Sequence, residues 1–505
     1  MEKPPMTRIA LGLIATLAGV LCLAVMCLAL GGSQADAATS QYCVAGPHTG
    51  TLTTDETWCK EDSPHLVNVQ FTVFPSVTLT IEPGVVVKTN IGLHRDFLIQ
   101  GHLNALGTPT EPITFTSQVD TGPGQWGGLA FDGGTGHLRH AILRYAGERN
   151  SVTDGVGSWF RSSIAIRDVL AGEVRLENVT IRDIATTSQD AAIYVEDSNL
   201  VVEDSLFTEI GDGSWYQFPD AAIYVAGGDS TATLTDNTFA AGDSNTIVLQ
   251  PGAMMHNDTT LASQNGLDAY VLERVFTVPP TVTLTIEPGV TVKGNRDWNK
   301  SAELRVEGHL EASGTLTQSI TFTSFDDDAS AQWPGLVFDG TSGAGTGNLR
   351  YATVRYGGLG NSVLSAISNN YHSGSNITAY NVQSGEVRLE HVTVASEYHF
   401  DGWHKFSDHG LYVHDSRVVV AGSIIEDNCD STVSGTSEDS GLFVTGDSQL
   451  VIADSLIQSN SSPGLLVDGD TAFVKVIGSS IVNNIGDGVR NSGAATVIPS
   501  GDEQG

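Results

Sequence analysis

The chain has 505 residues, more than a single compact core usually organises, which indicates either several units or a solenoid. Hydrophobic residues make up 40% and charged residues 16%, which excludes an intrinsically disordered protein. The formal net charge of −34 repels polyanions, so no nucleic-acid partner is expected.

The N-terminus has the pattern of a secretory signal. Lys3 and Arg8 precede the uncharged run 9–30, and Ala-Asp-Ala at 35–37 provides a small-x-small cleavage site. We expect cleavage before Ala38, which leaves a mature protein that is secreted or held at the bacterial cell surface. The alternative is an uncleaved anchor, since this run is long enough to span a bilayer. No later stretch is apolar enough to span a bilayer, so no membrane contact is expected after cleavage.

The mature chain contains three cysteines. Cys43 and Cys59 lie close together in a predicted N-terminal cap segment, 38–66, and could form a disulfide in an oxidising compartment. Cys429 is left over, either as an unreactive thiol in a turn or as one half of an intermolecular disulfide.

A long internal duplication dominates the sequence. The nonamer VTLTIEPGV occurs at 77–85 and again at 282–290, and GHLNALGT from Gly101 returns as GHLEASGT from Gly308. WGGLAFDG, LRHAILRYAG and GEVRLENVT return in the same order, with small insertions between them. We predict a first copy at 67–257, a second copy at 258–492 and a polar tail at 493–505. The return of the nonamer favours two consecutive solenoids over one unbroken rod.

A shorter period lies inside each copy. Units starting GLYV, GLFV, GLLV and GVRN begin at Gly410, Gly441, Gly464 and Gly488, at steps of 31, 23 and 24 residues. Apolar and polar residues alternate within each short run, as in a β-strand. One such strand cannot bury its apolar row alone, whereas stacking coil upon coil buries it and pairs the backbones in parallel. The pattern predicts a parallel β-helix.

The combination of TLTIEPGV, GHL-x-A-x-GT, ITFTS and WGGLAFDG resembles secreted bacterial proteins with right-handed parallel β-helix repeats, which share the pectin-lyase-like fold. The resemblance covers nearly all of 67–492. It implies an all-β, right-handed parallel β-helix in two tandem homologous copies. The family includes polysaccharide lyases and hydrolases as well as surface proteins without known activity, so the fold alone transfers no reaction.

Aromatic side chains recur at positions that alternate with the apolar core row. Tyr194 and Tyr224 occupy equivalent positions in successive coils of the first copy, and Tyr412 and Phe443 do so in the second, with His414 beside them. We expect these side chains to face outward in short ladders. They either pack under a long loop or form a platform on which sugar rings stack.

Two inserts strengthen the second interpretation. EYHFDGWHKFSDH at 397–409 contains Tyr398 and Trp403, and GDGSWYQFPD at 211–220 contains Trp215 and Tyr216. β-Helix turns do not usually need such residues, so the inserts are expected either to pack as lids or to contact a saccharide or partner.

Candidate catalytic and metal-binding groups are sparse. Glu397, Asp401 and Asp408 could supply a carboxyl pair, with His404 or His409 as a proton shuttle. Against catalysis, the polygalacturonase-type strings NTD, GHG and RIK are absent. A weak Ca²⁺ site could form from the carboxylates of Asp326, Asp327 and Asp328, although a solvated acidic loop is the commoner outcome. No other cofactor is expected.

The leading hypothesis is an extracellular or cell-surface β-helix protein, non-catalytic, that presents a rigid surface for glycan binding or adhesion. One alternative is a polysaccharide lyase or glycoside hydrolase of the pectin-lyase-like fold. Another is a structural surface-layer or filament component. Because the last repeat stops mid-coil, its strand edges could also support end-to-end self-association.

Overall fold

The computed structural model describes residues 43–92, 96–153, 161–184, 190–211, 221–240, 242, 245–295, 302–328, 332–364, 373–396, 407–428 and 440–500. In the described residues, no helix has both the length and the apolar character needed to cross a bilayer. Cys43 and Cys59 are both disulfide-bonded. A 3-10 helix at Lys60–Asp62 follows the second of these cysteines.

The regular structure consists of short β-strands. In and before the first copy they are β1 (His48–Leu52), β2 (Glu56–Trp58), β3 (His65–Val73), β4 (Thr78–Ile81), β5 (Val86–Thr89), β6 (Phe97–Ile99), β7 (His102–Leu106), β8 (Ile113–Ser117), β9 (Leu129–Asp132), β10 (Thr135–Arg139), β11 (Ala141–Arg144), β12 (Arg161–Arg167), β13 (Val174–Glu177), β14 (Thr180–Ile184), β15 (Asp190–Glu196), β16 (Asn199–Glu203), β17 (Leu206–Ile210), β18 (Ala221–Ala226), β19 (Thr231–Thr235), β20 (Thr238–Ala240) and β21 (Thr246–Leu249).

In the second copy and its tail they are β22 (Thr259–Leu261), β23 (Ala269–Leu272), β24 (Phe276–Val278), β25 (Thr283–Ile286), β26 (Thr291–Gly294), β27 (Leu304–Val306), β28 (His309–Ser313), β29 (Ile320–Ser324), β30 (Leu336–Asp339), β31 (Thr346–Arg350), β32 (Ala352–Arg355), β33 (Ser373–Tyr380), β34 (Val387–Glu390), β35 (Thr393–Ala395), β36 (Ser407–His414), β37 (Arg417–Ala421), β38 (Ile424–Glu426), β39 (Ser440–Thr445), β40 (Gln449–Ala453), β41 (Leu456–Gln458), β42 (Leu465–Asp468), β43 (Phe473–Ile477), β44 (Ser480–Val482), β45 (Val489–Asn491) and β46 (Thr496–Ser500).

The repeated nonamer forms a half-buried strand and a tight corner. In β4, Leu79 and Ile81 are buried while Thr78 and Thr80 are partly exposed, and β25 repeats this alternation. The strand ends at Glu-Pro-Gly, where Gly84 has φ of 80°, a left-handed conformation that a Cβ atom disfavours. The sequence pattern therefore produces one face and one corner of each coil.

Parallel pairing stacks the coils into four sheets. A 7-stranded sheet (sheet II) runs from β2 to β19, a 9-stranded sheet (sheet III) from β22 to β46, and an 8-stranded sheet (sheet IV) from β24 to β45. The fourth, with 22 strands (sheet I), covers two faces of the first copy, because β3 pairs with β5 through its first half and with β6 through its second. Apolar side chains from all faces join in one continuous buried core. The predicted parallel β-helix is confirmed.

The two copies share one sheet. The ladder β18–β21–β23–β26 passes from the first copy into the second without a break. The expectation of two separate solenoids is therefore wrong for this face, because the backbone groups of β21 find partners in β23.

The second copy is displaced by one face around the rod. By the duplication, β5 corresponds to β26 and β6 to β27. β26 nevertheless continues the face to which β6 belongs, not the face of β5. Equivalent strands of the two copies consequently lie on neighbouring faces.

Polar ladders fix the corners inside the rod. The side-chain amide of Asn428 donates to Oδ1 of Asn460 (3.0 Å), and that of Asn460 donates to Oδ1 of Asn484 (2.8 Å). At another corner, the backbone N–H of Ser423 donates to Oγ of Ser455 (3.1 Å). These bonds satisfy polar groups that leave the β-ladder at each turn.

Candidate functional site

The predicted outward aromatic residues are covered. They point away from the main core, which instead takes their neighbours Ile193 and Val195. Even so, the exposed fractions of Tyr194, Tyr224, Tyr412 and Phe443 are 1%, 2%, 8% and 6%. The outward direction was predicted correctly, but their exposure was not. These rings form a second hydrophobic layer outside the rod, which leaves no open stacking platform.

In the first copy this layer reaches across the copy junction. The rings of Tyr194 and Tyr224 stack with centroids 5.8 Å apart, and Val248 and Val271 continue the row. The hydroxyl of Tyr224 donates to Oε2 of the buried Glu273 at 2.7 Å. Burial and the neighbouring carboxylate of Glu273 raise the pKa of this phenol, so it remains a neutral donor.

In the second copy a buried histidine joins the layer. The imidazole of His409 lies 5.8 Å from the ring of Tyr412 and 5.1 Å from that of Phe443. Leu364 and Leu466 complete this cluster. Burial lowers the pKa of His409 to about 4, so its imidazole is neutral at physiological pH.

The other predicted ligand-binding and catalytic residues cannot be placed. Those that lie outside the described residues are Trp215, Tyr216, Glu397, Tyr398, Asp401, Trp403 and His404. Asp408 is in β36, but its side chain is likewise outside the described part. Their proposed roles remain predictions.

The weak Ca²⁺ site at Asp326, Asp327 and Asp328 is not supported. Both carboxylate oxygens of Asp327 accept hydrogen bonds from Arg355, at 2.8 and 2.6 Å. Asp328 accepts from the side chain of Gln332 at 2.7 Å. The charge of Asp327 is already balanced by a guanidinium, which removes it as a metal ligand.

Within the described residues, one group of three potential ligand side chains lies close enough to hold a metal ion, namely Cys43, Cys59 and Glu61. Since both cysteines are disulfide-bonded, they offer no thiolate.

A half-exposed polar surface adjoins the covered layer in the second copy. It lies where the strands of sheet IV end, and we call it the strand-end strip. Its partly exposed members come from successive coils and are Arg305, Glu307, Tyr380, His414 and Asp415. Asp339 belongs to the same row, but it is buried.

The strip is in register from coil to coil. Asp339 pairs with Tyr380, and Tyr380 pairs with His414, across neighbouring parallel strands. The rings of Tyr380 and His414 stack with centroids 5.2 Å apart and planes inclined by 11°. The side chain of His414 is 24% exposed, and its Nε2 lies 3.2 Å from a carboxylate oxygen of Asp415. Parallel stacking therefore places an aromatic pair beside the carboxylate of Asp415 at the surface.

Ion pairing organises the other end of the strip. The guanidinium of Arg305 donates to the carboxylate of Asp339, and its Nε lies 3.3 Å from Glu307. Burial by itself would raise the pKa of Asp339, but hydrogen bonds from Thr341 and Arg305 outweigh it and lower the pKa. Asp339 is thus an anion at neutral pH.

The sequence reasoning identified His414 but missed Tyr380, Asp339 and Arg305. The available signal was the register: FDG of WPGLVFDG and AYN of NITAYN end their strands at the position that His414 takes one coil later. The repeats that begin at Gly410 do not include the coils of Asp339 and Tyr380, because those earlier coils are separated by different numbers of residues.

A second Tyr–His stack provides a comparison. Tyr351 and His391 stack at 4.8 Å on the corner after sheet III. Here the guanidinium of Arg350 lies 5.1 Å from the centroid of the Tyr351 ring. Arg350 and His391 thus both contact this ring.

The structure and the family comparison together define the class. The family described as pectate-lyase-like β-helix domain matches residues 50–147 and 252–376, one segment in each copy. The chain is therefore a parallel β-helix protein, two segments of which match the pectate-lyase-like β-helix domain.

Solved structures with a detectable match include that of the periplasmic alginate epimerase AlgG, at 12% identity, covering 83% of this chain and 76% of that chain with a TM-score of 0.21. Two AlgG mutants match at 11% and 10% identity, each with a TM-score of 0.21, covering 83% and 82% of this chain and 76% and 77% of theirs. Overlaps this low support no transfer of activity. None of the curated protein sequences compared with the chain matches it.

Proposed function

We propose that this is a secreted or cell-surface protein that binds a polysaccharide, without cleaving it, through the strand-end strip of the second copy. The observation that carries the proposal is the in-register Tyr380–His414 stack at the surface, with the carboxylate of Asp415 beside His414. Export is inferred from the signal pattern at residues 1–37.

The chemistry of the strip suits a sugar chain. Tyr and His offer apolar ring edges and faces against which pyranose rings pack, while carboxylates accept hydrogen bonds from hydroxyl groups. Because successive coils are about 4.8 Å apart, the strip extends along the rod axis, which favours an extended polymer. The description of the matching family, which refers to pectate lyase, supports a polysaccharide as the ligand class.

The test is polysaccharide binding by the mature protein, measured by affinity electrophoresis and titration calorimetry. We expect Tyr380→Ala combined with His414→Ala to weaken binding about tenfold, equivalent to roughly 1.4 kcal/mol. Circular dichroism would verify that the fold is retained.

The matched control is Tyr351→Ala combined with His391→Ala, which removes a Tyr–His stack from a different corner. It should bind like wild type. Equal losses in both double variants, or wild-type binding by the strip variant, would contradict the proposed site. Release of reducing or unsaturated ends from the bound polymer would contradict the non-catalytic assignment.

A further inference from the structure

The strand-end strip has an excess of negative charge. Glu307 and Asp415 are partly exposed carboxylates, and the buried Asp339 adds a third negative charge, against the single guanidinium of Arg305. That guanidinium is occupied by two of these carboxylates. Among the described residues of the strip, an anionic sugar would therefore meet carboxylates and no unpaired guanidinium.

Both copies neutralise their arginines in the same way elsewhere. Arg144 forms a two-pronged pair with Asp120 in the first copy, as Arg355 does with Asp327 in the second. The remaining arginines with a carboxylate oxygen within 4.0 Å are Arg167, Arg175, Arg182, Arg274, Arg350, Arg388 and Arg490.

The lysines add little to this balance. Lys60 pairs with Glu111, and Lys293 donates to the backbone carbonyl of Phe325 at 3.1 Å. Burial by itself would raise the pKa of Asp120, but hydrogen bonds from Thr116 and Arg144 outweigh it and lower the pKa. The positive charge of Lys88 makes a smaller contribution in the same direction. The chain as a whole carries −34. Most arginines and lysines in the described part are thus held by the protein's own acceptors.

From this charge arrangement we propose that the ligand is a neutral polysaccharide, built of unsubstituted hydroxylated sugars, and not a uronate polymer. The inference rests on the proposed function of the strip. Neutral sugars donate hydroxyl hydrogens to Glu307 and Asp415 and pack against the Tyr380–His414 stack. They incur no charge repulsion from the acidic rod.

The experiment compares wild-type binding to neutral polymers (cellulose, β-glucan and xylan) with binding to pectate and alginate, at low and physiological salt. Each uronate is tested with added CaCl₂ and with EDTA. We expect at least one neutral polymer to bind about tenfold more tightly than either uronate, with little dependence on salt.

Two double variants that each remove two negative charges make the test more specific. Glu307→Gln combined with Asp415→Asn removes two carboxylates and leaves Arg305 less fully paired. The ratio of uronate to neutral-polymer affinity should rise about tenfold. Glu386→Gln combined with Glu390→Gln makes the same charge change on sheet III and should leave that ratio unaltered.

Each outcome separates the two proposals. Preferential binding of pectate or alginate, whether calcium-dependent or not, would overturn the neutral-glycan inference and leave polysaccharide binding intact. Binding to no polymer in either class would overturn both. An equal ratio in wild type and the strip variant would show that the strip's carboxylates do not select the ligand.

Discussion

At the scale of single residues, burial decides what an outward side chain can do. Tyr194 and Tyr412 both alternate with core residues, yet each is buried within a second layer of apolar groups. Tyr380 and His414 occupy the next outward position along their strands and remain half-exposed. Tyr412 and His414 are thus only two positions apart on one strand, yet the first has a packing role and the second lies at the surface.

His409 predicts a specific pH dependence of stability. Burial lowers its pKa from 6.5 to about 4 in the folded protein, whereas the unfolded chain titrates near 6.5. Between these values the unfolded state binds more protons, so the stabilising contribution is complete above about pH 6.5. It is lost as pH falls to about 4, and amounts to roughly 3 kcal/mol.

Urea unfolding measured from pH 4 to pH 7 checks this. His409→Gln should show a shallower loss of unfolding free energy over that interval than wild type. His48, whose pKa is lowered to about 4 by burial and by neighbouring His65, should contribute in the same direction. The same slope in wild type and His409→Gln would contradict the assignment.

At the scale of elements, corner ladders hold successive coils at a fixed spacing. Asn428 donates to Asn460 through both its side-chain amide and its backbone N–H, at 3.0 and 3.1 Å. It also accepts from Asn376 at 2.9 Å. Its amide thus serves three coils, which makes it an interior member of the ladder.

We expect Asn428→Ala to lower the free energy of unfolding by about 1–3 kcal/mol, because it strands buried donors and acceptors of its neighbours. Asn484→Ala is the matched comparison, since Asn484 is half-exposed and water can replace its bonds. It should cost less than about 1 kcal/mol. Denaturant titration of both variants measures this, and equal losses would argue against an interior network.

At the scale of the whole molecule, the displacement between copies governs which surfaces share a direction. The row of Tyr224 continues through Val248 and Val271 to Lys293. The strand-end strip lies on sheet IV, a different face. The duplicated sequence therefore does not produce two equivalent binding faces along one line.

The shared sheet also predicts how the rod unfolds. A solenoid couples neighbouring coils through their interface, so an unbroken ladder should give one cooperative transition. Val271→Asp, which buries a charge at the junction, should split this single unfolding transition into two separate transitions. Val201→Asp, at an outward and partly exposed position of sheet II, should not.

Tryptophan fluorescence distinguishes the copies, because Trp126 and Trp333 are buried in the first and second respectively. Measuring unfolding in Trp126→Phe and Trp333→Phe backgrounds assigns each transition. Two transitions in the unaltered protein would contradict coupling through β21 and β23.

Much of this architecture could be predicted from the sequence. Alternation within VTLTIEPGV determines a half-buried strand, and Gly84 permits its corner. The repeats then require stacked coils, because no single coil can bury its apolar row. These features depend on neighbours close in sequence or one coil away.

Two features were decided only by tertiary structure. The burial of Tyr194 and Tyr412 depends on residues that are far away in sequence, such as Leu364 for Tyr412, and repeat spacing does not specify which segments pack against a face. The displacement of the second copy depends on the pairing of β21 with β23. The nonamer has the same sequence in both copies, so its pattern does not predict this displacement. Local alternation dictates which side of a strand is apolar, whereas the pairing of non-local segments determines which surface remains open to a ligand.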